Sequence, residues 1–82
     1  MDREKLILYL NTLARSDSLI EKYGAILADD NELYREIWQL QSEMARLIGI
    51  SEELEDAIWE AKWTWDKEDK NIEEMADIIL SW

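Results

Sequence analysis

The sequence predicts an all-α protein, a compact bundle of four to five helices forming a single helical domain over residues 1–82. Three observations predict it. There is no proline, and only two glycines, Gly24 and Gly49, punctuate the chain. Apolar residues recur at three- and four-residue spacings, and no alternation of period two survives more than a few positions. Several apolar stretches follow a Ser, Asp or Asn, whose side chains accept hydrogen bonds from the open N–H groups of a first helical turn.

The first helix is expected from about Asp2 to Ala14, with Leu6, Leu10 and Leu13 as its stripe and Tyr9 beside it. Ser16-Asp17-Ser18 is a break signal, and Ser18 with Glu21 has capping-box spacing, so a short helix carrying Leu19, Ile20 and Tyr23 could restart there. A helix running straight through to about Ala28 is the alternative, and a break or kink is the favoured reading. Asp29-Asp30-Asn31 offers caps for a second long helix over about 32–48. Its Leu33, Ile37, Leu40, Met44 and Leu47 are spaced 4-3-4-3, a heptad seam suited to core packing or to a dimer helix. Tyr34, Trp38, Ala45 and Ile48 form an adjacent second row, so this helix should touch two neighbours. Gly49 falls where a left-handed C-cap belongs.

Ser51 should cap the next helix, which runs to about Trp65 with Leu54, Ile58, Ala61 and Trp65 inward. Trp59 and Trp63 project from a different side. Residues 66–70 form a charged connection. Asn71, in capping-box spacing with Glu74, opens a final helix that presents Ile72, Met75, Ile79 and Trp82 on one side. Trp38, Trp65 and Trp82 are expected in the core.

Composition removes whole classes of function. The chain has no cysteine and no histidine. Disulfides, thiolate or imidazole metal sites and Ser-His-Asp or Cys-His nucleophiles are therefore out of reach. Twenty acidic against nine basic residues give a net charge of −11. Such a chain repels phosphate backbones, which argues against direct nucleic-acid binding. Its acidic amphipathic stretches argue against anionic membranes, and no apolar run approaches the ~18 residues of a bilayer span. A soluble, cytoplasmic protein is expected. Nearly half the residues are hydrophobic and five are tryptophan, enough material for a core. Small size with surplus aromatic surface suggests a homodimer.

The residues that could carry chemistry are carboxylates. Glu53 with Asp56, and Glu74 with Asp77, are pairs three residues apart, each on one helical face. Two such helices side by side could aim four carboxylates at one hard cation such as Mg²⁺. The same residues are also good helix starts, where first-turn acids are favoured by the dipole.

The order Glu52-Glu53-x-x-Asp56, a charged spacer, then Glu74-x-x-Asp77 resembles the EExxE…ExxD motif of MazG-like all-α nucleotide pyrophosphohydrolases. Residues 67–80 are similar to the second metal-binding helix of small members, and the resemblance covers roughly residues 51–80. It implies Mg²⁺ on Glu53, Asp56, Glu74 and Asp77, with Glu52 as a further ligand, and release of pyrophosphate from a nucleoside triphosphate. The chain departs from the pattern in having Asp56 where the family has Glu, and in lacking the family's helix after ExxD. Beside the resemblance, Lys62, Lys67 or Lys70 could neutralise phosphate, and Trp59 or Trp63 could stack on a base or a partner.

A second class of function uses the acidity itself. A small acidic helical protein can occupy a basic surface of another protein, as DNA mimics of phages and mobile elements do, including anti-CRISPR and anti-restriction proteins. Carboxylates spread over rigid helices would imitate phosphates, and exposed aromatic side chains would anchor the contact. The two classes part on geometry: the enzyme needs its four carboxylates converged, the mimic needs them dispersed.

Overall fold

A computed structural model describes residues 2–29 and 31–82, the side chain of Ala28 excepted. Among them are four helices and no strand: α1 (Arg3–Ala28), α2 (Asn31–Leu47), α3 (Glu52–Lys67) and α4 (Ile72–Leu80). α1 packs against α2 and α4, and α4 also packs against α3. No helix among the described residues is long and apolar enough to cross a membrane.

The helix ends follow the sequence closely. The Asp2 carboxylate accepts from the Glu4 N–H at 2.9 Å, and Ser51 Oγ from the Leu54 N–H at 3.2 Å. Asn71 Oδ1 accepts from the Glu74 N–H at 2.8 Å, while Asn71 Nδ2 donates to Glu74 Oε1. Of the acidic cap residues before α2, Asp30 lies outside the described residues. Gly49 takes φ +87°. The Gly49 N–H reaches Arg46 O at 3.1 Å and the Ile50 N–H reaches Ala45 O at 2.9 Å. This is a Schellman cap, closed by burial of Ile50.

Two expectations are corrected. The chain does not break at Ser16-Asp17-Ser18, nor does Ser18 cap a new helix. α1 runs through, and its irregularity lies at Tyr23, whose φ −115° and ψ 22° are not helical. Asp17 is held inside the helix by its contact with Lys62 of α3. The second correction concerns α2. Its heptad seam does not face the core as a whole: Leu33, Leu40 and Leu47 are 42%, 64% and 83% exposed, Ile37 is half-buried, and Met44 alone of the seam packs against the core. The row beside it turns inward instead, with Gln41 and Ala45 buried and Tyr34 and Ile48 half-buried.

The core is built by Leu6, Tyr9, Leu10 and Leu13 of α1, Ala45 of α2, Ile50 of the connection between α2 and α3, Ile58 and Trp65 of α3, and Met75, Ala76 and Ile79 of α4. Of the three tryptophans expected inside, only Trp65 is buried. Trp38 is exposed on one side and packs on Trp59 with ring centroids 4.7 Å apart. Trp82 is exposed and leans on Trp65 at 5.9 Å.

Candidate functional site

The inward face of α3 is set by Glu55, Ile58, Lys62 and Trp65. At 100° per residue, Glu53 and Asp56 fall on the opposite, outward side, with Glu60 and Trp63. In α4 the inward residues are Met75, Ala76 and Ile79, which turns Glu73, Glu74 and Asp77 outward. Each carboxylate pair therefore points away from the core that joins the two helices. Among the described residues no group of three or more acidic side chains is placed to hold a metal ion.

The individual carboxylates are engaged elsewhere or solvated. Asp77 Oδ1 accepts from Arg3 Nε at 2.9 Å, tying α4 to the start of α1. That hydrogen bond holds the Asp77 carboxyl below its ordinary pKa. Glu74 Oε1 accepts from the Asn71 side-chain amide at 3.1 Å. Glu52 lies 3.8 Å from Arg46 Nη2. Glu53 and Asp56 are exposed.

The structure does bring together three residues singled out for ligand contact. Lys62, Trp59 and Trp63 line an open hollow of about 310 Å³ with Asp17 and Asp66. Lys62 Nζ donates to Asp17 Oδ2 at 2.5 Å and to Asp66 Oδ2 at 3.0 Å. Burial opposes the Lys62 ammonium, but these two carboxylates outweigh it and raise its pKa above the ordinary lysine value. One ammonium between two carboxylates leaves a net negative hollow beside two indoles. That suits a basic group and not a phosphate. Trp63 is 70% exposed at its edge, with Lys67 Nζ 5.3 Å from the ring centroid. Lys70 sits 3.5 Å from Glu68. Each of the three lysines is thus already engaged by a carboxylate or an indole.

A second buried charge joins α2 to α3. Glu55 accepts from Ser42 Oγ at 2.9 Å and from Arg46 Nη1 at 2.7 Å. Arg46 Nη1 also donates to Ile50 O. Sequence reasoning missed Asp17, Arg46, Glu55 and Asp66. Only Asp66 left a trace, four residues after Lys62 on the same helical face. No family model, curated protein or solved structure matches the chain.

Proposed function

We propose that the chain is a non-enzymatic, cytoplasmic protein-binding module that occupies a basic surface of a partner, as a DNA mimic or an anti-CRISPR or anti-restriction inhibitor does. The observation that carries this reading is the dispersal of Glu53, Asp56, Glu74 and Asp77 over outward helix faces. A metal-dependent pyrophosphohydrolase would need them together. Trp63, largely exposed beside the acidic hollow of Asp17 and Asp66, supplies the aromatic anchor such contacts use. We further read the chain as a homodimer, since it exposes many large apolar side chains for its size.

The test has two arms on the full chain. In the first, Mg²⁺ and Mn²⁺ are titrated by calorimetry. No saturable binding is expected. Saturable binding lost in Glu53→Gln and Asp77→Asn, with pyrophosphate released from a nucleoside triphosphate, would overturn the proposal in favour of the MazG-like enzyme. In the second, an arginine-rich peptide is titrated at rising salt. Binding should weaken with salt and fall much further in Glu53→Lys/Asp56→Lys or Trp63→Ala than in Glu4→Lys/Glu21→Lys. Equal losses in the two double variants would reduce the effect to net charge and sink the assignment of this face.

A further inference from the structure

An apolar groove opens between the second half of α1 and the first half of α2. Leu19, Tyr23, Ile26, Leu27, Leu33 and Ile37 line it, enclosing about 360 Å³ with no polar surface. Farther along α2, Leu40 lies on the same helical side as Leu33 and lines a separate hollow with Glu36, Gln39 and Glu43. Ile26 in the groove wall and Leu40 beside it on α2 are 65% and 64% exposed. Contiguous apolar surface of this kind marks a place where something docks.

The two rims of the groove carry opposite charge. On α1 the positions beyond Leu19 and Ile26, on the side away from α2, are Arg15 and Lys22. They line a hollow of their own that shares Leu19 with the groove. On α2 the positions beyond Leu33 and Leu40, on the side away from α1, are Glu36 and Glu43. Among the described residues Arg15, Glu36 and Glu43 have no ion-pair partner, and Lys22 has only the Tyr23 ring, 5.4 Å from its Nζ. A basic helix from another protein would match the acidic rim and clash with the basic one. A second copy matches both, when a two-fold axis parallel to the helices lays α1 of each copy over α2 of the other. The net charge of −11 opposes self-association in general, and the paired rims remove that opposition at this face.

We infer that the α1–α2 groove is the self-docking surface of the chain, joining two copies into a four-helix layer around Leu19, Ile26, Leu33 and Leu40, with Arg15 and Lys22 of one copy facing Glu36 and Glu43 of the other. This rests on the two-copy reading above and adds the surface and the orientation. The experiment is sedimentation equilibrium on the full chain and on four variants, with circular dichroism confirming unchanged helix content. The wild type should be dimeric. Leu40→Glu and Ile26→Glu should each raise the dimer dissociation constant by at least about tenfold, the change one lost buried aliphatic side chain carries. Arg15→Glu/Lys22→Glu and Glu36→Lys/Glu43→Lys should each be monomeric alone and form a heterodimer when mixed. A wild type that stays monomeric at high concentration overturns both the pairing and the surface, leaving the groove to a different protein. A dimer untouched by Leu40→Glu and Ile26→Glu overturns the surface alone. Apolar variants that dissociate while the mixed charge variants fail to recombine overturn the orientation.

Discussion

The two halves of α1 are made of similar residues and live in different surroundings. In the first half Leu6, Tyr9, Leu10 and Leu13 are wholly buried, while in the second Leu19, Tyr23 and Ile26 are 52%, 43% and 65% exposed. The difference comes from what lies alongside. The first half is joined by α4, held at its start by Arg3–Asp77, and shares its cluster with Ile58 of α3 and Met75, Ala76 and Ile79 of α4. The second half, past Asp17, meets α2 and shares an open groove with it. Stability should therefore concentrate in the first half and binding in the second. The sharpest way to break this comparison is a matched pair of truncations. Leu10→Ala should cost about 3–5 kcal/mol, a cavity in a closed core. Ile26→Ala should change monomer stability by no more than about 0.5 kcal/mol. Urea unfolding at a concentration where the chain is monomeric reads both, and similar costs at the two positions would abolish the distinction.

The buried charges of α3 test the same contrast through electrostatics. Arg46→Met leaves Glu55, whose side chain is 11% exposed, with Ser42 as its one remaining polar contact among the described residues. Stranding a largely buried carboxylate should cost about 2–3 kcal/mol. Arg3→Met removes an ion pair of comparable geometry whose partners are 47% and 63% exposed, and should have a clearly smaller effect on the unfolding midpoint. If the two losses are equal, the Glu55 pocket is wetter than its burial implies.

The sequence made the closed half legible and misjudged the open one. Leu6, Leu10, Leu13, Ile58, Trp65, Met75 and Ile79 sit inside as periodicity places them, and Ser51, Asn71 and Gly49 cap as their chemistry dictates. These features are local, fixed by spacing within one helix. Periodicity could not choose between the two apolar rows of α2, because both satisfy helical spacing and only the position of α1 decides which is covered. Nor could it choose between convergence and divergence of Glu53, Asp56, Glu74 and Asp77. That depends on how α3 and α4 are rotated, which the inward placement of Ile58, Trp65, Met75 and Ile79 settles. The pairs Asp17–Lys62 and Arg46–Glu55 join residues from different helices and leave no spacing signature.

The closed half also predicts an alkaline limit. Burial pushes the Tyr9 hydroxyl up to about 12, with the Glu55 carboxylate adding to it. An unfolded tyrosine titrates near ~10. Below that pH both states hold the proton and the full contribution is present. As pH rises toward 12 the unfolded chain releases the proton and the folded chain keeps it, so stability falls by up to about 1.4 kcal/mol per pH unit, roughly 2–3 kcal/mol in all. Lys62, also raised, loses its contribution as pH climbs through its folded pKa and steepens the fall. Tyr9→Phe isolates the tyrosine part: its stability should decline less than that of the wild type above pH 10. Of the three tyrosines, the one removed should be the last to ionise by ultraviolet difference absorption. Identical alkaline profiles for wild type and Tyr9→Phe would place the hydroxyl in contact with water.

Gln41 sharpens the comparison from the other side, because it is a flaw within the closed region. It is 3% exposed, and among the described residues neither its Nε2 nor its Oε1 has a hydrogen-bond partner. On α2 it occupies the inward row one turn before Ala45, where periodicity alone would place an apolar side chain. A buried amide stripped of water and given no partner costs free energy that an unbranched apolar side chain of similar length avoids. Gln41→Met should therefore stabilise the monomer by about 1 kcal/mol, read as a higher urea midpoint at unchanged slope. At Gln39, exposed on the far side of the same helix, the same replacement removes no buried amide and should leave the midpoint nearly unmoved. A midpoint that falls for Gln41→Met would mean that the amide is satisfied in solution, and that the inward row of α2 is polar by requirement.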